Sequence, residues 1–260
     1  MNLFKSIAIS FSLYSKIPMP VFEWKEENYK HAIAFLPLIG FVIGALSYLV
    51  ILFCQAYEIP VFVTTLFLTL IPLFITGGFH VDGFMDVQDA LHSYQPKEKK
   101  LEIMKDPHIG AFAAIGTGMM AFLWLSFMYL LVYRAFECDR YPYLIAYTAA
   151  YPLIRASCGI TSITFKNAKK EGMLSMETGN SGRLDITVIV VLGILAAAFM
   201  FFTSLYAGVA SLISAILFTF WYKVMCQKQF GGVTGDTAGF FVVAGEVFLL
   251  MVISLLSLFL

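Results

Sequence analysis

Asp82, Asp86 and Asp89 follow one another closely, flanked by His80 and His92, beside one of the most apolar stretches of the chain. On a helix starting near Asp82, at about 100° per residue, Asp86 falls about 40° around the axis and Asp89 about −20°. All three carboxylates then share one face, one turn apart. A carboxylate at the centre of a bilayer costs on the order of 2.5–3.5 kcal/mol, so an aligned trio beside a membrane segment calls for a compensating cation. Carboxylate oxygens with few nitrogens favour Mg²⁺ or Mn²⁺ over zinc, and such a cation suggests phosphate chemistry. Ordinary solvated loop acids would leave both the alignment and the preceding Gly77-Gly78 as coincidences. Those glycines permit a positive φ where a helix ends or breaks.

Three further polar segments could serve the same chemistry. Lys105 and Asp106 precede Pro107 and the next apolar run; Asp106 is expected as a helix N-cap with Pro107 in the first helical position. Lys105 and that helix start could also hold phosphate oxygens. Gly231, Gly232, Thr234, Gly235 and Asp236 form a glycine-rich loop before the last apolar run, and its backbone N–H groups could cradle a phosphate. It is no P-loop, because no Gly-Lys-Ser/Thr closes it. Arg155 and Glu246 are charges inside apolar segments. Arg155 could reach toward an interface, pair with an acid such as Glu246, or bind a substrate phosphate. The stretch from Lys166 to Glu177 reads as a mixed-charge, solvated connector.

The solvent follows from composition. Of 260 residues, 60% are hydrophobic and 13% charged, against roughly 25% charged in soluble domains. The chain is expected to be a single all-α membrane domain over residues 1–260. Seven stretches approach the ~20 apolar residues a span requires: 33–56, 61–79, 110–133, 142–160, 186–206, 207–222 and 238–259. Residues 3–17 are too short and serine-rich to cross and suit an interfacial or re-entrant helix. Numbering the loops alternately puts fourteen Lys/Arg on the N-terminal side: Lys5, Lys16, Lys25, Lys30, Lys97, Lys99, Lys100, Lys105, Lys166, Lys169, Lys170, Arg183, Lys223 and Lys228. Only Arg134 and Arg140 fall opposite. The positive-inside rule makes the richer side, with all the polar segments above, cytoplasmic. The net charge of zero gives no reason to expect a nucleic-acid partner. Cys54, Cys138, Cys158 and Cys226 lack metal or disulfide spacing and read as buried thiols. No cleavable signal is expected at the N-terminus.

Taken together, these motifs resemble the cobalamin synthase family, the adenosylcobinamide-GDP ribazoletransferases. The family's run of two glycines, a histidine and spaced aspartates is matched by Gly77, Gly78, His80, Asp82, Gly83, Asp86 and Asp89. Its Lys-Asp-x-x-x-Gly-Ala segment is matched by Lys105, Asp106, Gly110 and Ala111, and its final glycine loop by Gly231, Gly232, Thr234, Gly235 and Asp236. The opening Phe11 to Pro20, with Lys16 before Ile17-Pro18, looks like the family's N-terminal signature. Ala90 and Ala113 stand where many members have glycine, a small-for-small difference.

The resemblance implies transfer of adenosylcobinamide phosphate from adenosylcobinamide-GDP to the 3′ hydroxyl of α-ribazole or its 5′-phosphate, with GMP leaving. It implies Mg²⁺ on Asp82, Asp86 and Asp89, with one of these aspartates or His80 as base. His80 joins only if the helix begins after it. Lys105, Asp106, Arg155 and the Gly231–Asp236 loop are expected to bind phosphate. The expected setting is the cytoplasmic membrane of a bacterium or archaeon. The expected partners are the two substrates and the lipid bilayer, with a homo-oligomer or a complex with other cobalamin-assembly enzymes left open. Two other readings compete. A CDP-alcohol phosphotransferase would need Asp-Gly-x-x-Ala-Arg, where this chain has Asp86-Val87 in place of Ala-Arg. An ion-coupled transporter would usually show internal repeats and midplane acids.

Overall fold

The computed structural model describes residues 3–21, 29–168, 174, 178–179 and 181–260. Lys25, Lys169 and Lys170, and the connector from Lys169 to Glu177 apart from Leu174, lie outside the described residues. The protein is a polytopic bundle of α-helices, and the described residues contain no strand beyond an isolated bridge between Asn167 and Val233.

In chain order, α1 (Leu3–Tyr14) packs beside a 3-10 turn (Ala32–Phe35) that runs straight into α2 (Leu36–Ala56). Next come α3 (Val61–Thr76) and α4 (Phe79–His92), the short α5 (Lys97–Ile103), and the long α6 (Ala111–Glu137). They are followed by α7 (Tyr141–Thr148), α8 (Ala150–Thr164), α9 (Arg183–Thr203), α10 (Leu205–Gln229) and α11 (Gly235–Leu256). Among the described residues, five segments are long and apolar enough to cross a bilayer: Ala32–Ala56, α6, α9, α10 and α11. The α3–α4 pair passes the same test only jointly, bent by 92°. The seven expected spans thus become five unbroken segments, one bent pair and one broken pair.

The breaks have local causes. Gly77 and Gly78 both adopt a positive φ, 62° and 81°, which ends α3 and lets α4 start at Phe79 rather than near Asp82. Within α3, the hydroxyls of Thr65, Thr69 and Thr76 donate to Val61, Thr65 and Pro72 carbonyls at 2.8 Å each, so its polar groups need no outside partner. The stretch 142–160 divides at Ala149, whose N–H donates to Ala146 O at 3.0 Å. Pro152 lacks the N–H that would have bonded the Thr148 carbonyl. α9 and α10 part at Ser204, which caps α10 by accepting from Ala207 N at 3.2 Å.

α11 occupies the centre of the bundle and touches α4, α6, α8 and α10. Phe84 of α4 stacks on Phe240 of α11, centroids 5.3 Å apart. Arg155 of α8 pairs with Glu246 of α11; both are almost wholly buried. Arg155 also donates to Tyr151 O at 3.2 Å, and Tyr147 OH donates to Glu246 O at 3.3 Å. Of the three readings of Arg155, the structure shows the ion pair. At the other side of the bundle, Asp185 bonds His31 at 2.7 Å and accepts from Gly182 N at 2.8 Å, fixing the start of α9 to the 3-10 turn. Arg134 donates twice to Ser257 O, at 3.1 and 2.8 Å, closing the C-terminal end of α11. Cys54, Cys158 and Cys226 are buried thiols outside any disulfide, whereas Cys138 is half-buried.

Candidate active site

The carboxylates come from two helices that meet across glycines. A Cβ at Gly83 would lie 2.8 Å from the Asp236 carbonyl oxygen and 3.0 Å from its Cα. One at Gly239 would lie 2.9 Å from the His80 carbonyl oxygen. Only at these glycines can α4 and the start of α11 come so close, and Asp236 is thereby laid against the acidic face of α4. Three like charges bear on the half-buried Asp86: Asp236 most strongly, then Asp82 and Asp89. Asp82 is exposed and sits in the first turn of α4, where the helix dipole favours a negative charge.

Asp89 shares the face but is already engaged. Its Oδ2 accepts from Gly110 N at 2.7 Å and its Oδ1 from Ala113 N at 2.8 Å. It caps α6 from another helix, so both of its oxygens are occupied by charge-assisted bonds. The bound carboxylate also explains Gly110, where a Cβ would come within 2.5 Å of it. Ala113 contributes a backbone N–H, which glycine would supply equally. Asp89→Ala is expected to lower stability by about 2 kcal/mol, the upper end for a lost cap, while the divalent-cation dependence of turnover stays as in wild type. Denaturation in detergent and a Mg²⁺ titration check this, and a shifted Mg²⁺ dependence would return Asp89 to the ligand set.

With Asp89 as the cap, Asp106 is not one. α6 begins at Ala111, and Asp106 instead forms a turn by accepting from His108 N at 3.0 Å and bonding its ring at 2.6 Å. The His108 backbone N–H, then its ring, hold the Asp106 carboxyl below the usual range. Lys105 and Asp106 lie in this exposed turn, one step along the chain from the Asp89 cap.

His80 lies on the first turn of α4, on the side away from the aspartates. The ring is buried between Tyr14 and Phe79, centroids 6.4 and 5.4 Å away, and its Nδ1 has no hydrogen-bond partner among the described residues. Because α4 begins at Phe79, the condition for His80 to join the carboxylates is not met.

The glycine loop is built by backbone pairing. Val233 N donates to Lys166 O and Ala168 N to Val233 O, both at 2.9 Å. A Cβ at Gly232 would lie 2.3 Å from Lys166 O, and Gly231 has φ 79°. Thr234 caps α11 in a reciprocal box with Thr237, their hydroxyls accepting from each other's backbone N–H at 3.1 and 2.8 Å. Gly235 is exposed, with open space where a side chain would stand.

Sequence reasoning passed over two lysines at the loop's edge. Lys97 donates to Gln227 O at 3.2 Å and Lys100 to Gln229 Oε1 at 2.6 Å. They place positive charge at the C-terminus of α10, where it is favourable. Burial pushes the Lys100 ammonium down from its ordinary range. Nothing in the local pattern separated these two from the neighbouring solvated lysines.

Known proteins place this arrangement. The family described as cobalamin-5-phosphate synthase matches residues 6–254. An adenosylcobinamide-GDP ribazoletransferase of Lachnoclostridium phytofermentans is 34% identical over 249 residues, covering 95% of this chain and 92% of that protein. One of Clostridium botulinum (strain Alaska E43) is 34% identical over 252 residues, covering 95% of each, and one of Clostridium perfringens is 28% identical over 243 residues, covering 94% of each. No solved structure matches. With the match running from α1 into α11, through both helices that bear the carboxylates, the chain belongs to the cobalamin-5-phosphate synthase family.

Proposed function

We propose that this protein is a membrane-embedded ribazoletransferase. It transfers adenosylcobinamide phosphate from adenosylcobinamide-GDP to α-ribazole or its 5′-phosphate, with Asp82, Asp86 and Asp236 as the core of the site. The supporting observation is the convergence of α4 and α11 at Gly83 and Gly239, which gathers these aspartates within a chain of this family.

The donor set suits a divalent cation. Among the described residues no three His, Cys, Asp or Glu side chains stand together closely enough to hold a metal ion by themselves. Mg²⁺ is ordinarily held by one or two carboxylates together with substrate phosphates and water, which is what an open aspartate cluster offers. One or two of Asp82, Asp86 and Asp236 would hold the ion together with the substrate's phosphates, and Asp89 supports them as a cap. When bound, the ion supplies charge neutralisation on the pyrophosphate. Asp82, the exposed carboxylate, takes the proton of the attacking 3′ hydroxyl. The oxygen bonds to the phosphorus next to the cobinamide arm, the phosphoanhydride bond breaks, and GMP departs with its electron pair. Gly235 and its neighbours leave room for a phosphate at the start of α11.

The lysine and arginine asymmetry supports a site facing the cytoplasm. The test is GMP release and cobalamin formation by detergent-purified protein given adenosylcobinamide-GDP, α-ribazole and Mg²⁺, with an EDTA control. Turnover lost in EDTA supports the reading; a well-folded protein that makes no cobalamin overturns it.

A further inference from the structure

We propose that Tyr222 is a positioning residue of the transfer site, holding Asp236 against Asp82 and Asp86 through the hydroxyl of Thr237. The inference rests on the reading of those three aspartates as the cation-holding set.

Tyr222 lies on α10, outside every motif the sequence singles out, and is 1% exposed. Its hydroxyl donates to Thr237 Oγ1 at 3.0 Å. That oxygen also accepts from Thr234 N at 2.8 Å and donates to Thr234 O at 3.0 Å. Thr237 is wholly buried, and its one hydroxyl meets these three partners, with the Cys226 thiol also within reach of it and of the Tyr222 hydroxyl. Two of them define the first turn of α11, and the third comes from a different helix. Asp236 lies between Thr234 and Thr237, with the Thr234 hydroxyl 3.4 Å from its Oδ2.

The consequence concerns direction rather than folding alone. A capping box closes a helix start by itself but does not fix where that start points. Tyr222 anchors it to α10, while Gly83 leaves Asp236 no slack on the α4 side. The Tyr222 ring is held edge-on by Phe241, centroids 4.8 Å apart, so Phe at this position keeps the packing and loses only the hydroxyl, with its bond to Thr237 and its contact with the Cys226 thiol.

The experiment compares wild type with Tyr222→Phe, Thr237→Val and Thr237→Ser in detergent. Mn²⁺ binding is read by electron paramagnetic resonance and transfer kinetics by GMP release. Tyr222→Phe is expected to weaken Mn²⁺ binding about fivefold, the scale of one net hydrogen bond. It should also lower kcat while leaving KM for α-ribazole unchanged. Thr237→Val should weaken binding further, and Thr237→Ser should stay within about twofold of wild type, since it keeps the hydroxyl. Wild-type Mn²⁺ affinity and kcat in Tyr222→Phe would overturn the inference and leave the site reading standing. Wild type that makes cobalamin but binds no Mn²⁺ at the cluster would overturn both.

Discussion

Asp86→Asn is expected to slow GMP release about a thousandfold, the rate equivalent of the several kcal/mol a bound metal ion contributes, with the fold retained. Asp86 is the carboxylate on which the charges of Asp236, Asp82 and Asp89 all bear. It is therefore the centre of the set that a cation would hold together. The same crowding predicts an effect of opposite sign on stability. Without a divalent ion the four carboxylates repel one another, and removing one charge relieves this. In EDTA the variant should melt above wild type. Added Mg²⁺ should raise the wild-type melting temperature and leave the variant nearly unmoved. Turnover that survives Asp86→Asn would remove Asp86 from the chemistry, and equal melting of both proteins in EDTA would remove the repulsion.

The largest stability effect is expected at the buried ion pair. Arg155→Met leaves Glu246 charged and unpartnered inside the bundle, at a cost of about 3–5 kcal/mol; Glu246→Met does the same to Arg155. The double replacement removes both charges and should recover most of the loss, because a buried pair exchanged for apolar groups is often neutral. Both residues lie among aromatic neighbours, with Tyr147 and Tyr151 beside them, so methionine fits the surroundings. Yield of monodisperse protein and its denaturation midpoint in detergent give the readout. A single variant as stable as wild type would show that the pair does not hold α8 to α11. If the double variant stayed as poor as either single one, the charges would have a role beyond mutual compensation.

The membrane bundle was legible because apolar runs of span length and the lysine distribution are one-dimensional signals. So were the break at Gly77-Gly78 and the aspartates on one face, since helical periodicity relates them within a single helix. What periodicity cannot show is which partner a side chain meets on another helix. Asp82, Asp86 and Asp89 are equivalent by spacing, yet Asp89 turns to the N–H groups of Gly110 and Ala113, and its place beside Asp86 is shared by Asp236. The Asp106-Pro107 signal named the wrong cap for the same reason: the group that closes α6 comes from α4. His80 shows that membership of a motif does not decide direction, because a helix start at Phe79, about three residues earlier than expected, turns the ring into the core. The fourth expected span failed on a local point, the missing N–H of Pro152.

The contact at Gly83 also bears on how the protein is made. Asp82 and Asp86 are synthesised early and Asp236 only with the final described helix. A chain emerging into the membrane therefore carries an incomplete acidic cluster until α11 slides into the centre of the helices already inserted. On the proposed reading of these aspartates, transfer cannot precede that insertion, so activity reports on completed assembly. A chain arrested before α11 would expose Asp82 and Asp86 without the helix that shields and completes them, a ready mark by which quality control could tell unfinished protein from finished.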